Sequence, residues 1–295
     1  MKVLNLGSMN LDLVYSVDHI VQPGETESSF SMNTFLGGKG MNQSVALAKA
    51  GVQVWQGGMI GEDGQPFLDA CAEFGVHSEL IRKVNGKSGH AVIQIDANAQ
   101  NSILLFGGAN QMLTEEYVDD TLSHFEKGDI LLLQNEVNLL PYIVDKAYEQ
   151  GLFIALNPSP YNEKLDAVDM KKISLFLFNE VEGAQVTGVT EPQAIIEKMR
   201  QLFPHAKIVL TLGKDGAIYA DVNQQHFQSV FPVKAVDTTA AGDTFTGYFL
   251  AGFAEGMAIR EALRMSAKAS SIAVSRAGAV PSIPWRKEVM EALAE

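Results

Sequence analysis

Cysteine occurs once in 295 residues, at Cys71, so no disulfide can close within the chain and an apolar core must carry the fold. Basic residues are outnumbered: 22 Lys and Arg against 35 Asp and Glu leave a formal net charge of −13. Such a surface does not neutralise nucleic-acid phosphates or anionic lipid, so no nucleic-acid and no membrane partner is expected. A phosphate-bearing ligand would have to meet donors arranged locally. The six histidines (His19, His77, His90, His124, His205 and His226) are scattered without zinc-type spacing. No apolar run approaches the ~20 residues of a membrane span, and Met1 leads directly into the strand-like VLNLG of 3–7 rather than into a secretion signal. With the unpaired thiol, these absences give the expectation of a cytoplasmic protein. Two ligand loops are missing too. No GxGxxG follows a strand, which disfavours a dinucleotide-dependent oxidoreductase, and the GGKG of 37–40 lacks the spacer and GK[ST] of a Walker loop.

What is present is ample core material: 46% hydrophobic residues against 19% charged. Short β-type runs at 3–7, 53–60, 129–134, 152–157, 173–178 and 207–212 alternate with helical patterns at about 40–50, 64–75, 114–125, 139–150, 191–203, 243–255 and 258–275. That rhythm predicts a single α/β domain over 1–295 with a doubly wound, mainly parallel sheet and helices on both faces. Two stretches, 11–36 and 87–106, break it. Their alternating positions, as in HAVIQID, predict antiparallel strands in one discontinuous β layer, hinged at Gly37-Gly38 and Gly107-Gly108 and suited to a lid or a dimer contact.

Three constellations carry chemistry. In AVDTTAAGDTFTGYFLAG (235–252), small residues at Ala240, Ala241 and Gly242 lead into an amphipathic run, so backbone N–H groups can converge on an anion at a helix start. Asp243 there is either a general base facing a hydroxyl under phosphorylation or a plain helix cap. In GSMNLD (7–12) and FLGGKGMNQ (35–43), Asn10, Asp12, Lys39 and Asn42 suit a polyhydroxylated ligand, or form a Gly-rich turn with a cap. In NEVE (179–182), Asn179 and Glu182 share a helical face that can hold a hydrated Mg²⁺, or simply complement the helix dipole. TLGKDG (211–216) reads as a strand leading into a tight turn between β segments and SRAGAVPSIP (275–284) as a helix end followed by a Gly and Pro loop; both are candidate linings of a nucleotide or cation site and equally plain connections.

Taken in order, GSxNxD at 7–12, PGET at 23–26, GGKGxNQ at 37–43, IGxD at 60–63, NPxP at 157–160, NxxE at 179–182, TLG at 211–213, DTxAAGDTFxG at 237–247 and GAxPSxPW at 278–285 resemble the PfkB carbohydrate kinase family across nearly the whole chain. The resemblance implies the ribokinase-like α/β fold with a β lid that pairs subunits into a homodimer. It implies sugar contacts at Asn10, Asp12, Gly38, Lys39, Asn42, Ala91, Ile93, Glu136 and Asp243, with Asp243 as catalytic base. Nucleotide contacts are implied at Asn179, Thr211, Gly213 and Gly242, and an anion hole at Ala241, Gly242 and Asp243. Mg²⁺ is implied at Asn179 and Glu182 through water, and an activating K⁺ at Asp237, Thr239, Ala273, Arg276, Gly278 and Ser282.

The expected reaction is ATP-dependent phosphorylation of the terminal hydroxyl of a pentose, D-ribose to D-ribose 5-phosphate. Deoxyribose, a ketohexose or a nucleoside stand as other substrates of the same chemistry, and a non-catalytic sugar sensor as a different class. The helix carrying Ala267 and Lys268 lacks the His or Asn that such sequences often place against adenine, and His90 and Gln94 are unusual beside the lid contacts.

Overall fold

The computed structural model describes residues 1–98 and 100–294. Strands form where each side chain of an apolar run has a covered face to enter. In the run at Ile130–Gln134, Ile130 and Leu132 enter one core while Leu131 and Leu133 enter the other, and all are fully buried.

In chain order the elements are β1 (Val3–Leu6), β2 (Asn10–Ser16), β3 (Ser31–Gly37), α1 (Lys39–Lys49), β4 (Val54–Ile60), α2 (Gln65–Phe74), β5 (Ile81–Lys83), β6 (Gly89–Ile95), β7 (Asn101–Phe106), α3 (Glu115–Leu122) and β8 (Ile130–Gln134). They continue as α4 (Leu140–Gln150), β9 (Phe153–Asn157), β10 (Leu175–Asn179), α5 (Glu180–Thr187), α6 (Pro192–Leu202), β11 (Lys207–Thr211), β12 (Ala217–Ala220), β13 (Gln225–Gln228), α7 (Ala241–Ala254), α8 (Ile259–Val274) and α9 (Arg286–Ala294).

Nine strands make one sheet in the order β13-β12-β11-β10-β9-β8-β1-β4-β5, parallel except where β12 runs against β11 and β13. One face is covered by α1, α2, α7, α8 and α9 around Met41, Phe67, Phe249 and Leu263, the other by α3, α4 and α6 around Val118, Ile143 and Ile195. The chain leaves β1 toward β4 and β5, then returns to β8 on β1's other side. This reversal opens a crevice past the carboxyl ends of β1 and β8.

Over that crevice lies a second sheet, β3-β2-β6-β7, built from the two segments that interrupt the α/β rhythm. Its hairpins β2–β3 and β6–β7 are antiparallel, but they join through a parallel β2–β6 pair, because both hairpins leave the body in the same direction. At the hinge Gly38 sits at φ 86°, a left-handed conformation that glycine adopts without steric cost.

Four elements lie outside the sequence expectation: β5, β13, α5 and α9. The two strands are too short for an alternation to show, and EVEGAQVT of α5 carries no clear apolar stripe.

Candidate active site

Helices α1 and α7 touch with almost no side chain between them: a Cβ on Gly247 would lie 2.4 Å from the Ala46 Cβ. One turn earlier on each helix, the same contact sets Asp243 beside Asn42 and Gln43. Asn42 Nδ2 donates to Asp243 Oδ2 at 2.9 Å, and Gln43 Nε2 donates to Asp243 Oδ1 at 2.8 Å. Asp243 is 8% exposed, and its small opening faces a cavity of about 230 Å³. The cavity is lined by Lys39, Asn157, Asn179, Glu182, Thr211 and Gly242, among others.

The backbone entering α7 turns through Ala240, whose φ of 59° is left-handed for a residue with a side chain. Ala240, Gly242 and Asp243 of this turn line the cavity. The N–H of Ala241 is taken by Thr238 O at 3.2 Å and that of Thr244 by Ala240 O at 2.8 Å, while those of Gly242 and Asp243 have no acceptor among the described residues. A Cβ on Gly242 would meet nothing within 4 Å, so protein packing does not demand glycine here. The open space lies over a helix start, where an anion is favoured.

The residues expected to suit a polyhydroxylated ligand gather near the start of α1 and the first strands of the second sheet. Glu136 accepts from Ser8 Oγ and, at 3.0 Å, from the Lys39 N–H. Asn10 Oδ1 accepts from Asn110 Nδ2 at 2.7 Å, which leaves the Asn10 amide free to donate. Gly37 makes room for Asp12: a Cβ there would lie 2.1 Å from the Asp12 carboxylate. Ala91 stands opposite Asp12 in the β2–β6 register and Ile93 opposite Val14, so both share the Asp12 face. Asn42 Oδ1 is buried with no partner among the described residues.

Burial, with the nearby Glu136 charge, pushes Asp12 up to about 6, and burial also raises Glu136 against the hydrogen bonds from Ser8 and Lys39. Burial alone would depress Lys39, but the carboxylates of Asp243, Glu136 and Glu182 together hold it above the ordinary lysine value. That lysine is thus charged among three carboxylates.

Asn179 and Glu182 form a reciprocal helix cap on α5: Asn179 Oδ1 accepts from the Glu182 N–H at 2.9 Å, and Glu182 Oε2 from the Asn179 N–H at 3.0 Å. Both still line the cavity, and Asn157 Oδ1 beside them is buried with no partner among the described residues. A carboxylate and an orphaned acceptor in one cavity fit a hydrated hard cation. Gly213, at φ 52°, opens a turn after β11 and is not among the cavity-lining residues, unlike Thr211.

Asp237 ties two loops. Its Oδ1 accepts from the Thr239 N–H and hydroxyl at 2.9 and 2.6 Å, and its Oδ2 from the Gly278 N–H at 2.9 Å. Although burial opposes the charge, those hydrogen bonds hold Asp237 below the ordinary carboxylate value. The carbonyls of Thr239, Arg276 and Gly278 accept no hydrogen bond among the described residues, whereas Ala273 O accepts the Arg276 N–H and Ser282 Oγ donates to Ala279 O. A carboxylate with three free carbonyls fits an alkali cation.

Some residues singled out in the sequence fall elsewhere. His90 pairs in register with Leu11, on the face away from Asp12, and its ring meets Phe106 at 4.9 Å. Gln94 accepts the Val21 N–H. Ala267 packs into the core, and the Lys268 ammonium lies 4.9 Å from the Phe231 ring. Sequence reasoning assigned no role to Ser8, Gln43, Asn110 or Asn157, although all but Asn110 lie inside quoted motifs.

A family model described as pfkB family carbohydrate kinase matches residues 1–286. The chain belongs to the PfkB carbohydrate kinase family. Ribokinase of Haemophilus influenzae is 35% identical over 98% of this PfkB chain and 97% of its own, and deoxyribokinase of Salmonella typhi is 30% identical over 99% of each. The structure of Arabidopsis thaliana ribokinase complexed with ribose and ATP superposes with a TM-score of 0.85, at 31% identity over 100% of this chain and 98% of that one. Like its PfkB relatives, the protein is a sugar phosphotransferase. No helix among the described residues is long and apolar enough to cross a membrane.

Proposed function

We propose that this enzyme phosphorylates the terminal hydroxyl of D-ribose, giving D-ribose 5-phosphate, with ATP as donor. The observation that carries this reading is Asp243: a buried carboxylate, held on both oxygens by amide donors, opens onto a cavity beside two unpartnered backbone N–H groups. The carboxylate takes the proton of the hydroxyl as its oxygen attacks the γ-phosphorus and the bond to the β-phosphate oxygen breaks, releasing ADP. The N–H groups of Gly242 and Asp243 receive the charge gathering on the transferring phosphoryl group, with Ala241 completing the turn. Thr211, Asn179 and Gly242 line the nucleotide end, with Gly213 at the turn beyond Thr211.

Asn10, Asp12, Lys39, Asn42 and Glu136 offer the sugar both donors and acceptors, and Gly38, Ala91 and Ile93 shape its edge. The buried, unpartnered Asn42 Oδ1 favours a ligand with a hydroxyl to give it. Ribose carries one more hydroxyl to offer such acceptors than deoxyribose, the substrate named for a relative.

Asn179 and Glu182 would hold Mg²⁺ through water, supplying charge neutralisation at the phosphates. Asp237 and Ser282, with backbone oxygens of Thr239, Ala273, Arg276 and Gly278, would hold K⁺ beneath the α7 start. The lid's outer strand β7 is exposed along its whole length, with Ile103, Leu104, Leu105 and Phe106 all more than half exposed. An unpaired apolar edge of this kind is covered by a second copy of the chain, giving a homodimer. The setting is the cytoplasm, where ATP is supplied.

Replacing Asp243 by Asn tests the reading. The folded variant should lose at least ~10²-fold in turnover at saturating sugar; near-native turnover would make Asp243 a structural acceptor for Asn42 and Gln43 and nothing more.

A further inference from the structure

Behind Asp243 lies a chain of fully buried amides. Gln43, which donates to Asp243 Oδ1, accepts at its own Oε1 from Gln134 Nε2 at 2.7 Å. The second N–H of Gln134 goes to Asn5 Oδ1 at 2.9 Å. Asn5 Nδ2 donates to Gly40 O and to Ser44 Oγ, the Ser44 hydroxyl donates to Gln56 Oε1, and Gln56 Nε2 donates to the carbonyls of Gly7 and Gly57. Asn5, Gln43, Ser44, Gln56 and Gln134 are all fully buried.

The direction of every bond is forced. A carboxylate accepts only, so Gln43 must turn its NH₂ toward Asp243 and its oxygen toward Gln134. Main-chain carbonyls accept only, so Gln56, Ser44 and Asn5 must also point outward, leaving the Asn5 oxygen toward Gln134. Both ends therefore require the Gln134 NH₂ to face inward to the pair, and its Oε1 has no partner among the described residues. Gly7 leaves room for that oxygen, since a Cβ there would lie 2.1 Å from it. Gln134 closes β8 and Asn5 lies in β1, the two strands at the reversal of the sheet.

We infer that Gln43 is a positioning residue for the base Asp243, and that Gln134 locks Gln43 to the sheet. The inference rests on the reading of Asp243 as base. Flipping either amide would set oxygen against oxygen in a fully buried site, a cost that keeps the carboxylate in one orientation. Among the described residues Asp243 receives only the amide N–H groups of Asn42 and Gln43, and these cannot take a proton. The proton it accepts from the hydroxyl therefore leaves through the cavity, and the amide chain orients without relaying.

The test uses Gln43→Met, Gln134→Met and the double variant, with Asp243→Asn as control. Single-turnover phosphoryl transfer, sugar Kd by calorimetry and Tm are measured on each. Gln43→Met should slow transfer about 10- to 100-fold with sugar Kd within about two-fold of wild type, because orientation and not sugar contact is lost. Gln134→Met should slow it less, and the double variant should be no slower than Gln43→Met alone, because Gln134 acts through Gln43. If Gln43→Met does not fold, Gln134→Met carries the same split between rate and Kd. Near-native transfer in a folded Gln43→Met or Gln134→Met, parallel losses of rate and affinity, or additive losses in the double variant would overturn the inference. A slow Asp243→Asn beside a fast Gln43→Met removes this inference alone; a fast Asp243→Asn removes the base itself.

Discussion

Asp12 gives the sharpest prediction, because its environment sets a sign as well as a size. Its carboxyl lies in the crevice with Gly37 packed against it, and burial with the Glu136 charge raises it from 3.8 to about 6. A raised folded value means that the protonated form is favoured by folding. The contribution is fully present below the unfolded value near 4 and is lost as pH rises through about 6. A shift of that size is worth on the order of 3 kcal/mol against folding once Asp12 is ionised. Asp12→Asn should therefore match the wild-type Tm near pH 4 and exceed it increasingly up to about pH 7, where the difference levels off.

Sugar binding should run the other way, since the ionised carboxylate is the better acceptor for ring hydroxyls. Between pH 5 and 7 the ionised fraction of Asp12 rises about ten-fold, and the Kd for ribose should fall by a similar factor in the wild type. Calorimetry and thermal melts across that range, on wild type and Asp12→Asn, read both effects. A variant no more stable than wild type at pH 7, or a ribose Kd in the wild type that does not change between pH 5 and 7, would refute the assignment of Asp12 as a strained, ligand-awaiting acceptor.

Gly242→Ala adds a methyl to empty space at a helix start, so Tm should hold or rise, by up to ~1 kcal/mol of helix preference, while kcat/KM for ATP falls at least about ten-fold; unchanged kinetics would mean that no phosphate approaches there. K⁺ should raise turnover over Na⁺ and a bulky organic cation at equal ionic strength, on the order of ten-fold, and Asp237→Ala should erase the difference; equal rates in all three salts on the wild type would rule out the site. Leu104→Glu should shift the protein from dimer to monomer in sedimentation at micromolar concentration, because it places a charge on the apolar edge of β7; a variant that remains dimeric would move the interface elsewhere.

Most of the sheet was legible because its central strands are buried on both faces and read as continuous apolar runs, as in DILLLQ and LFIALN. The lid was legible from the opposite signal, alternation, but its parallel β2–β6 pairing was not, since register between distant hairpins depends on where the body returns the chain. The site was visible as a set of motifs, with Asp243, Asn42 and Lys39 already marked. What the motifs did not tell is which groups are spent on one another. Asn179 and Glu182 cap each other, the Ala241 N–H is taken by Thr238 O, and Gln43 spends its NH₂ on Asp243. The last two follow from the turn at Ala240 and the Ala46–Gly247 contact, which are properties of packed helices rather than of any one motif.

The central claim is that this PfkB enzyme is built for ribose. Initial rates with Mg-ATP over ribose, 2-deoxyribose, fructose and adenosine, with the phosphorylated position assigned by NMR, test it most directly. Ribose should give the highest kcat/KM, exceeding deoxyribose by about 10²-fold because the missing hydroxyl leaves a buried polar group unpaired, and the product should carry its phosphate on the terminal hydroxyl. An equal or higher kcat/KM for deoxyribose, fructose or adenosine, or phosphate at another position, would contradict it.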